Sequence, residues 1–383
     1  MNILISNDSY PTPLTPFAAW LEVLCKEFTR QGHDVTVIAP QSLTKHWLRG
    51  APLNPSHYSV EVDTEWGMRK IEVYQPRTLT FGAGRFARLS LVGARWATQR
   101  ILKRLHRHFD VYYAQFWASA YNFLGLTDAP VVVDCGEDEI RMHRWVRTDE
   151  LAAVRSLVRR VFCVSSKNRD ESIACGLSDG SNCVVLPNGI EQDKFFRMDA
   201  SATKARLGIH SDDFTVAFVG RFIHRKGTAR LVEALRRLDD SHIRLILIGA
   251  PDEREQEDID YKYMAHVGPL AHDCIAEYLN CADVYVLPTL AEGCSNSIIE
   301  AMACGLPVIS SDLPFNHDVL NADNSILIDP MDIDAIAHAI KRLKDNLPYR
   351  HHLAEGAKLT ADTLTIQNRI SKILTQTAFL INN

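Results

Sequence analysis

The sequence predicts an α/β protein built from two doubly wound, Rossmann-like domains. Two observations predict this fold. Short runs rich in valine and isoleucine alternate with longer segments of helical period, and the alternation restarts in the second half of the chain. The runs are apolar without a break, as in strands that are buried on both faces of a parallel sheet with helical crossovers. Two such series in succession predict two sheets with helices on both faces.

Twelve runs are the predicted strands, six in each half of the chain. The first six are "NILIS", "DVTVIA", "DVYYAQ", "VVVDC", "RVFCVS" and "NCVVLPN", and the second six are "TVAFVG", "IRLILIG", "YMAHVG", "DVYVLP", "LPVISSD" and "SILID". The linker-like "GIEQDKFFRMDAS" separates the two series. We therefore expect domains over 1–186 and 187–364, with the boundary near Pro187 and Asn188, and a final amphipathic helix over 365–383.

Composition excludes several classes of protein. The hydrophobic fraction of 46% and the charged fraction of 23% are typical of a globular protein, and a net charge of -5 argues against wholesale nucleic-acid binding. The nine cysteines form no Cys-x-x-Cys pair, which predicts reduced thiols and a cytoplasmic location. The N-terminal stretch "MNILISNDSYP" has only three consecutive apolar residues before it turns polar, so no secretory signal is expected. No apolar run approaches the roughly 20 residues that span a bilayer.

A basic loop follows the first strand of the second series, in "FVGRFIHRKGTARLVEAL". The strand is expected to end at Gly220 and a helix to begin near Thr228, with Arg221, Arg225 and Lys226 between them. Cations beside the free amides of a helix N-terminus form a strong anion site, and a diphosphate fits it. The alternative is a solvated basic loop. No Gly-x-Gly-x-x-Gly follows any predicted strand, which argues against a dinucleotide cofactor.

Two glutamates flank a second predicted helix start, in "LAEGCSNSIIEAMACGLPVISSD". Ser295 or Asn296 is expected to cap a helix over 297–304, which leaves Glu292 in the preceding loop and Glu300 about one turn inside. Free amides would hold an anion, while the two carboxylates would accept hydrogen bonds from sugar hydroxyls on either side of it. The alternative is that Glu300 is an ordinary helix acid.

Together, "GRFIHRKG", "ADVYVLPTLAEGCSNSIIEAMACGLPVISSD" and "VVLPNGIEQDKF" resemble the retaining GT-B glycosyltransferases of family 4, and the resemblance covers most of residues 182–345. It implies two Rossmann-like domains that face a central cleft, the second binding the donor and the first the acceptor, with the last helix crossing back to the first. The E-x7-E motif of the family matches Glu292 and Glu300, which would contact the transferred sugar and the ribose. Arg221 and Lys226 would hold the donor diphosphate.

The resemblance implies further donor contacts and a reaction. The implied donor-binding residues are Gly220, Leu270, Gly293, Cys294, Ser295, Asn296, Ser297, Ile298 and Glu300. The family implies a metal-independent hexosyltransferase with no cofactor, since the nucleotide-sugar is a co-substrate. On the habits of the family, the donor is a UDP-sugar, and the acceptor is a saccharide or lipid-linked oligosaccharide in bacterial surface polysaccharide synthesis.

The first half of the chain departs from the family pattern. The usual glycine-rich loop after the first strand is replaced by "SNDSYPTPLTP", and the first glycine is Gly32. Gln115 stands where a histidine is common. Another histidine usually follows the strand that corresponds to "VVVDCGED", and here Asp134, Cys135 and Glu137 occupy that neighbourhood as candidate acceptor-side residues. Two rival functions remain open: a nucleotide-sugar epimerase or hydrolase on the same fold, and a non-catalytic nucleotide-sugar-binding homologue, which the altered loop supports.

The segment over 85–109, "RFARLSLVGARWATQRILKRLHRHF", carries seven arginines or lysines, and no acid occurs between Glu72 and Asp110. Such a helix can lie on an anionic membrane, or it can be a core helix with a solvated basic face. In either case six apolar residues are expected to form a buried stripe: Phe86, Leu89, Trp96, Leu102, Leu105 and Phe109.

Two Asp-x-Asp pairs, Asp258 with Asp260 and Asp332 with Asp334, resemble a metal-nucleotide motif of a different glycosyltransferase fold. The first pair lies in the charged "DEREQEDIDY", and the second is expected to cap the helix "DAIAHAIKRL". We therefore expect surface roles for both pairs and no metal site.

Overall fold

The computed structural model describes residues 1–12, 19–82, 84, 86–126, 128–252, 255 and 257–382. The chain divides into two units: unit 1 comprises Met1–Leu186 with Arg369–Asn383, and unit 2 comprises Pro187–Asn368. Each unit has its own buried core.

Within the described residues, unit 1 contains ten strands, six α-helices from the first half of the chain and most of the last helix. Its strands are β1 (Asn2–Ser6), β2 (Asp34–Ile38), β3 (Gln41–Ser42), β4 (His57–Val62), β5 (Arg69–Tyr74), β6 (Arg77–Thr78), β7 (Val111–Gln115), β8 (Val131–Cys135), β9 (Val158–Cys163) and β10 (Cys183–Val185). Its helices in the first half of the chain are α1 (Ala19–Arg30), α2 (Leu43–Arg49), α3 (Ala87–Leu105), α4 (Trp117–Ala120), α5 (Thr148–Leu157) and α6 (Ser166–Ala174).

Unit 2 follows the same alternation. Its strands are β11 (Phe214–Val219), β12 (Ile243–Ile248), β13 (Met264–Gly268), β14 (Val284–Leu287), β15 (Val308–Ser311) and β16 (Ser325–Ile328). Its helices are α7 (Ser201–Arg206), α8 (Thr228–Leu238), α9 (His272–Leu279), α10 (Asn296–Ala303), α11 (Ile333–Asp345) and α12 (Leu347–Thr363). The last helix, α13 (Ile366–Asn382), begins in unit 2 and belongs to unit 1 from Arg369 onward.

The two large sheets have the predicted parallel character. The unit 2 sheet has the order β13-β12-β11-β14-β15-β16 with all neighbours parallel. The unit 1 sheet has the order β10-β9-β8-β7-β1-β2-β5-β4 and is parallel except for the antiparallel pair of β4 and β5. All twelve predicted strands are present. The β4–β5 hairpin was not predicted, because its exposed edge strand alternates polar and apolar residues rather than forming an apolar run.

Hydrophobic burial explains why the runs form these sheets. Leu245, Ile246 and Leu247 of strand β12 are fully buried, and on α8 the residues Leu231 and Leu235 pack inward at helical spacing. One prediction on packing was wrong: Phe86, Leu89 and Trp96 are exposed rather than buried, while Phe109 is buried and Leu102 and Leu105 are partly buried. Arg85, the first residue of that segment, lies outside the described residues.

Candidate functional site

The carboxyl ends of β11 and β14 lie side by side where the strand order of the unit 2 sheet reverses. β12 flanks β11 on one side and β14 flanks it on the other, with Ala217 aligned with Tyr285. In open parallel sheets, ligands bind beyond the strand ends at such a switch point. The loops that leave these two strands contain the predicted arginines, lysine and Glu292, so the topology brings them to one place.

Lys226 and Glu292 form an ion pair between these two loops. The distance from Lys226 Nζ to Glu292 Oε1 is 2.5 Å, and both side chains are largely buried. Thr289 donates a hydrogen bond to the same oxygen at 2.9 Å, and Arg225 Nη1 lies 3.5 Å from it. Among the described residues Glu292 Oε2 has no partner, so one carboxylate oxygen is held and the other is available to a ligand.

The two predicted arginines have different surroundings. Arg225 is held inside the site, where its guanidinium donates to the carbonyl of Ala291 and its own carbonyl accepts from Leu290 at 2.8 Å. Arg221 is 60% exposed and pairs with Asp252 at 3.1 Å. A phosphate could recruit Arg221 only in competition with this acid and with water.

A buried arginine that sequence reasoning missed joins the two loops. Arg230 on α8 donates to the carbonyls of His224, at 2.9 Å, and Pro288, at 2.8 Å. Burial lowers the pKa of Arg230, although Glu257 opposes the shift. Gly227 permits this approach: its φ is +81°, and a Cβ there would lie 2.5 Å from the Pro288 carbonyl oxygen. Arg230 therefore fixes the turn that carries Lys226 against the end of β14.

Helix α10 begins beside Glu292, as the sequence predicts within one residue. Ser295 is the N-cap residue, and its side chain makes no capping hydrogen bond. The first-turn amides of the helix have no acceptor within the helix, and they form a partial positive charge. Asn188 holds the loop in place through hydrogen bonds to the Cys294 carbonyl, at 3.1 Å, and to Asn296 Oδ1, at 2.8 Å.

The other predicted residues of this loop surround the helix start. Ser297 accepts a hydrogen bond of 2.7 Å from Tyr285 and lies 3.1 Å from Ser295. Ile298 is buried in the core, so only its backbone amide could face a ligand. Gly293 is buried and Cys294 is half-buried in the same loop.

Glu300 lies on the first turns of α10 and is buried, with His272 as its partner. His272 Nε2, at the start of α9, lies 3.4 Å from Glu300 Oε1. This hydrogen bond raises the pKa of His272, and burial opposes the shift. Glu300 Oε2 has no partner among the described residues. Sequence reasoning missed His272, since a single histidine 28 residues from Glu300 carries no spacing signal.

Gly220 and Leu270 follow the carboxyl ends of β11 and β13, two strands that β12 separates in the sheet. Gly220 follows β11 directly, and its carbonyl oxygen approaches Gly249 so closely that a Cβ on Gly249 would lie 1.9 Å away. Leu270 follows β13 and packs, half-buried, against the unit 2 core. Both backbones are therefore at the carboxyl edge of the sheet, where the predicted donor site lies.

Asp134 of unit 1 is engaged by other residues of that unit. Its carboxylate lies 2.7 Å from Arg369 Nη2 on α13 and accepts a 2.6 Å hydrogen bond from Tyr113, and all three side chains are buried. Arg369 also donates to the Leu186 carbonyl. Packing against α13 therefore accounts for the burial of Asp134. Both of its carboxylate oxygens are occupied, so neither is free to contact an acceptor as predicted.

Cys135 and Glu137 differ in whether they have a polar atom that is free to contact a ligand. The Cys135 thiol is fully buried, 3.6 Å from Ser172, and burial raises its pKa to about 11. Glu137 Oε1 accepts a 2.7 Å hydrogen bond from the Trp117 amide, while its Oε2 is buried without a partner among the described residues. Burial raises the pKa of Glu137 to about 7. Of the three candidate acceptor-side residues, Glu137 alone has such an unpartnered atom.

Other polar atoms without partners lie near the same edge of the unit 1 sheet. Buried acceptor atoms of three further side chains have no hydrogen-bond partner in the part of the chain that the structure describes: Asn7 Oδ1 after β1, Gln115 Oε1 at the end of β7 and Asn122 Oδ1. Buried polar atoms of native proteins are usually satisfied, so such a group of atoms points to a polar ligand or water. The later part of the loop "SNDSYPTPLTP", from Pro13 onward, lies outside the described residues.

The two Asp-x-Asp pairs have the predicted surface roles. Asp258 receives two hydrogen bonds of 2.8 Å from Arg236, which holds the pKa of Asp258 at about 2. Asp332 caps α11 through the Ala335 amide at 2.9 Å, and Asp334 pairs with Arg237 at 2.7 Å. Within the described residues, no group of three or more histidine, cysteine or acidic side chains could hold a metal ion.

Two family descriptions match the chain. "Glycosyl transferases group 1" matches residues 213–346, and "Glycosyltransferase Family 4" matches residues 19–194. The first range contains every donor-site residue predicted above, and the second contains the candidate acceptor-side residues.

Named relatives match over most of the chain at low identity. A protein of Bacillus subtilis strain 168, named for teichuronic acid biosynthesis as a glycosyltransferase, is 25% identical over 93% of this chain and 92% of its own. Glycogen synthase of Mycobacterium tuberculosis is 26% identical over 94% of this chain and 91% of its own. The UDP-Gal:alpha-D-GlcNAc-diphosphoundecaprenol alpha-1,3-galactosyltransferase of Escherichia coli is 26% identical, over 54% and 55% respectively.

Solved structures share the fold along the whole chain. Sucrose-phosphate synthase of Thermosynechococcus elongatus superposes with a TM-score of 0.76 at 17% identity, over 99% of both chains. HepE of Anabaena, in complex with UDP and glucose, superposes with a TM-score of 0.72 at 18% identity, over 99% of this chain and 100% of its own. The predicted GT-B fold is thereby confirmed.

Proposed function

We propose that the chain is a glycosyltransferase of the GT-B fold, which transfers a hexose from a nucleotide-sugar to a hydroxyl group of a saccharide or lipid-linked acceptor. The observation that carries this proposal is the position of the Lys226–Glu292 pair beside the N-terminus of α10, at the switch point of the unit 2 sheet. The chemistry of these groups matches a diphosphate flanked by sugars. The cation and the free amides suit the diphosphate, and the two carboxylates, each with one free oxygen, suit the sugar hydroxyls.

The proposed donor contacts follow from this geometry. Lys226 and the amides of residues 293–298 would bind the diphosphate, and Arg221 would add a second cation after leaving Asp252. Glu292 Oε2 would accept a hydrogen bond from the transferred sugar, and Glu300 Oε2 one from the ribose. Leu270 and Gly220 would border the nucleoside. Buried groups that bind hydroxyls discriminate strongly against ligands that lack them.

Charge stabilisation is the main catalytic effect that these residues can supply. As the glycosidic bond breaks, negative charge accumulates on the leaving diphosphate, where Lys226 and the α10 amides would stabilise it from fixed positions. We propose transfer with retention and without a metal, in which the leaving phosphate helps to deprotonate the acceptor on the same face. Glu137, with its raised pKa and buried free oxygen, is the acceptor-side group that we assign to the polar edge of unit 1.

A UDP-sugar is the proposed donor, and a bacterial surface polysaccharide or glycoconjugate pathway the proposed context. In support, HepE was crystallised with UDP and with UDP-glucose, and the named Escherichia coli relative uses UDP-Gal. The Bacillus subtilis relative is named for a polysaccharide pathway. We place the enzyme in the cytoplasm at the inner membrane, and the nine free cysteines, most of them buried, support a reducing compartment.

A thermal-shift screen against UDP-, GDP- and ADP-sugars tests the donor assignment. A ligand that binds only the folded protein raises its unfolding free energy, by about 2.7 kcal/mol at a concentration of a hundred times Kd. We expect the largest shift with a UDP-sugar and a smaller one with Lys226→Ala. No shift with any nucleotide-sugar would contradict the proposal.

Incubation with the donor alone separates transfer from the rival reactions. We expect the donor to be stable without an acceptor. An isomerised sugar would indicate an epimerase, free sugar a hydrolase, and tight binding with no turnover on any acceptor a non-catalytic protein.

A further inference from the structure

The solvent-facing side of α3 consists of apolar and basic residues only. Six of its residues are exposed: Leu89, Val92, Trp96, Arg100, Lys103 and Arg104. At about 100° per residue they fall within an arc of about 120°, so they form one continuous face. Three apolar side chains are followed by three cations along it. A helix of a globular protein normally turns its apolar side inward and its polar side to water, and α3 does the opposite on this face.

Neighbouring segments extend the apolar part of this face. Leu79, Phe81 and Phe86, in the segment that precedes α3, are each more than 40% exposed, and so are Trp47 and Leu48 of α2. Hydrogen bonds join these segments: the Thr80 amide bonds to Thr44 of α2 at 3.1 Å, and the Phe81 amide bonds to Ser90 of α3 at 2.8 Å. We call the exposed residues of α2 and α3, together with Leu79, Phe81 and Phe86, the α3 face. Apolar patches of this kind on a protein surface mark interaction sites.

Within the part of the chain that the structure describes, the three exposed cations of α3 have no acidic partner, whereas two arginines on its inner side form hydrogen bonds. Arg88 forms two hydrogen bonds with Glu150, and Arg95 donates to the Leu124 carbonyl. In contrast, Arg100, Lys103 and Arg104 form no ion pair with any described residue; Arg100 stacks on Trp96 instead, 5.2 Å from the ring centroid. No acidic residue occurs between Glu72 and Asp110 to neutralise them.

A cavity of about 450 Å³ opens beside these cations, between α3 and the ends of β4, β5 and β6. Its lining combines cations with aromatic rings: Arg77, Arg100, Arg104, His57, Tyr74 and Trp96. His57 and Tyr74 stack at 4.3 Å, and His57 Nε2 lies 2.6 Å from Glu72, which is not part of the lining. Several guanidinium groups around one cavity suit a phosphate group.

We propose that the α3 face docks on a bilayer of anionic phospholipid, with a lipid phosphate in this cavity. Exposed Leu89, Val92 and Trp96 would enter the region between head groups and acyl chains, and the cations would contact the phosphates. Charge complementarity favours this occupant. A second copy of the chain would bring the same unpaired cations against each other, and nucleic acid would leave the exposed apolar row in water. The proposal rests on the proposed function for its purpose, which is access to a lipid-linked acceptor.

Vesicle flotation of the full chain tests this proposal. We expect binding to phosphatidylcholine vesicles that contain phosphatidylglycerol as about a third of the lipid, weaker binding at high salt, and little binding to phosphatidylcholine alone. The triple substitution Arg100→Glu, Lys103→Glu and Arg104→Glu should weaken binding by about a hundredfold. The single substitution Arg100→Glu should weaken vesicle binding by about fivefold. Its charge control is Lys372→Glu, which changes an exposed cation on α13 and should leave vesicle binding unchanged.

A second pair of variants tests the apolar part. Trp96→Ala should weaken vesicle binding, whereas Trp66→Ala should not, although both rings are 62% exposed. Leu89→Ser and Leu359→Ser form a similar pair. Thermal shifts with the nucleotide-sugar, measured on the same variants, should equal that of the wild type, so loss of membrane docking and loss of donor binding are distinguished.

Three results would overturn the proposal. The first is wild-type protein that does not float with anionic vesicles while it still binds the donor. The second is flotation that the α3-face substitutions leave unchanged. The third is release of the protein from vesicles by millimolar inorganic phosphate, which would make the cavity a site for a soluble anion.

Discussion

Lys226 Nζ lies 2.5 Å from Glu292 Oε1, although the two residues come from loops after different strands. The pair joins a residue that is predicted to bind the phosphate to a residue that is predicted to bind the sugar. Because Thr289 and Arg225 approach the same oxygen, three side chains hold Glu292 through Oε1 and leave Oε2 without a partner among the described residues. Binding of a diphosphate next to Lys226 would therefore occur beside a carboxylate that is already positioned for the sugar.

Glu292→Gln should lower kcat/KM for sugar transfer by about a hundredfold, while the protein remains folded. Glutamine keeps the shape of the side chain but gives Lys226 no counterion and offers the sugar a weaker acceptor. Steady-state kinetics with circular dichroism measures both effects. Glu233→Gln, an exposed glutamate on α8, is the control and should match the wild type. Equal activity of the two variants would remove Glu292 from the site.

Arg230→Ala should weaken donor binding although Arg230 is not expected to touch the donor. The substitution leaves the buried carbonyls of His224 and Pro288 without a donor, at a cost of about 1–3 kcal/mol in unfolding free energy. It also releases the turn that carries Lys226. Denaturant unfolding and titration calorimetry measure the two effects. Arg236→Ala, on the exposed side of the same helix, should alter neither donor affinity nor kcat. Unchanged donor affinity in Arg230→Ala would show that the turn needs no such support.

His272 should stabilise unit 2 more at low pH than at high pH. Its pKa is raised by Glu300, so the native state holds the proton more tightly than the unfolded chain. The contribution is fully present below the unfolded pKa near 6.5 and is lost as the pH rises through the folded pKa. The side chain is 40% exposed, so the effect should stay under about 1 kcal/mol. The difference in unfolding free energy between wild type and His272→Ala should be larger at pH 6 than at pH 8.5, and a constant difference would contradict the pairing.

Glu137→Gln should stabilise the protein at alkaline pH. Burial raises the pKa of Glu137 from 4.5 to about 7, so the native state binds more protons than the unfolded chain between these values. The wild type therefore loses stability as the pH rises from about 4.5 to about 7, and the glutamine variant lacks this loss. The stability difference in favour of the variant should grow by roughly 1–3 kcal/mol between pH 5 and pH 8. Denaturant unfolding at both values measures it, and a pH-independent difference would exclude the raised pKa.

The arrangement of the candidate donor-site residues was predictable because its geometry is local to two sequence segments. The strand ends, the helix start at Ser295 and the positions of Lys226 and Glu292 all follow from apolar runs, glycines and a capping residue. Glu300 was predicted one turn inside its helix, and α10 places it there.

Residues whose partners are distant in sequence were not predictable. Asp134 lies near the end of the apolar strand β8 and resembles a site residue, yet its partner Arg369 is 235 residues away and no pattern connects them. Arg230 is one of several arginines on α8, and only the position of the Pro288 carbonyl distinguishes it from exposed Arg236. The outward apolar residues of α3 have the spacing of a buried stripe, and periodicity alone does not tell which side of a helix faces the core.

Titration calorimetry of UDP with Lys226→Ala tests the central claim most directly, because this claim assigns the diphosphate to Lys226 and the α10 N-terminus. We expect the wild type to bind UDP and Lys226→Ala to bind it at least about tenfold more weakly, as loss of a charge-assisted hydrogen bond predicts. Arg221→Ala should lose less affinity, since Asp252 and water already compete for it. Lys262→Ala, whose lysine pairs with Asp239 on the surface of unit 2, should bind UDP as the wild type does. Wild-type affinity in Lys226→Ala would contradict the assignment.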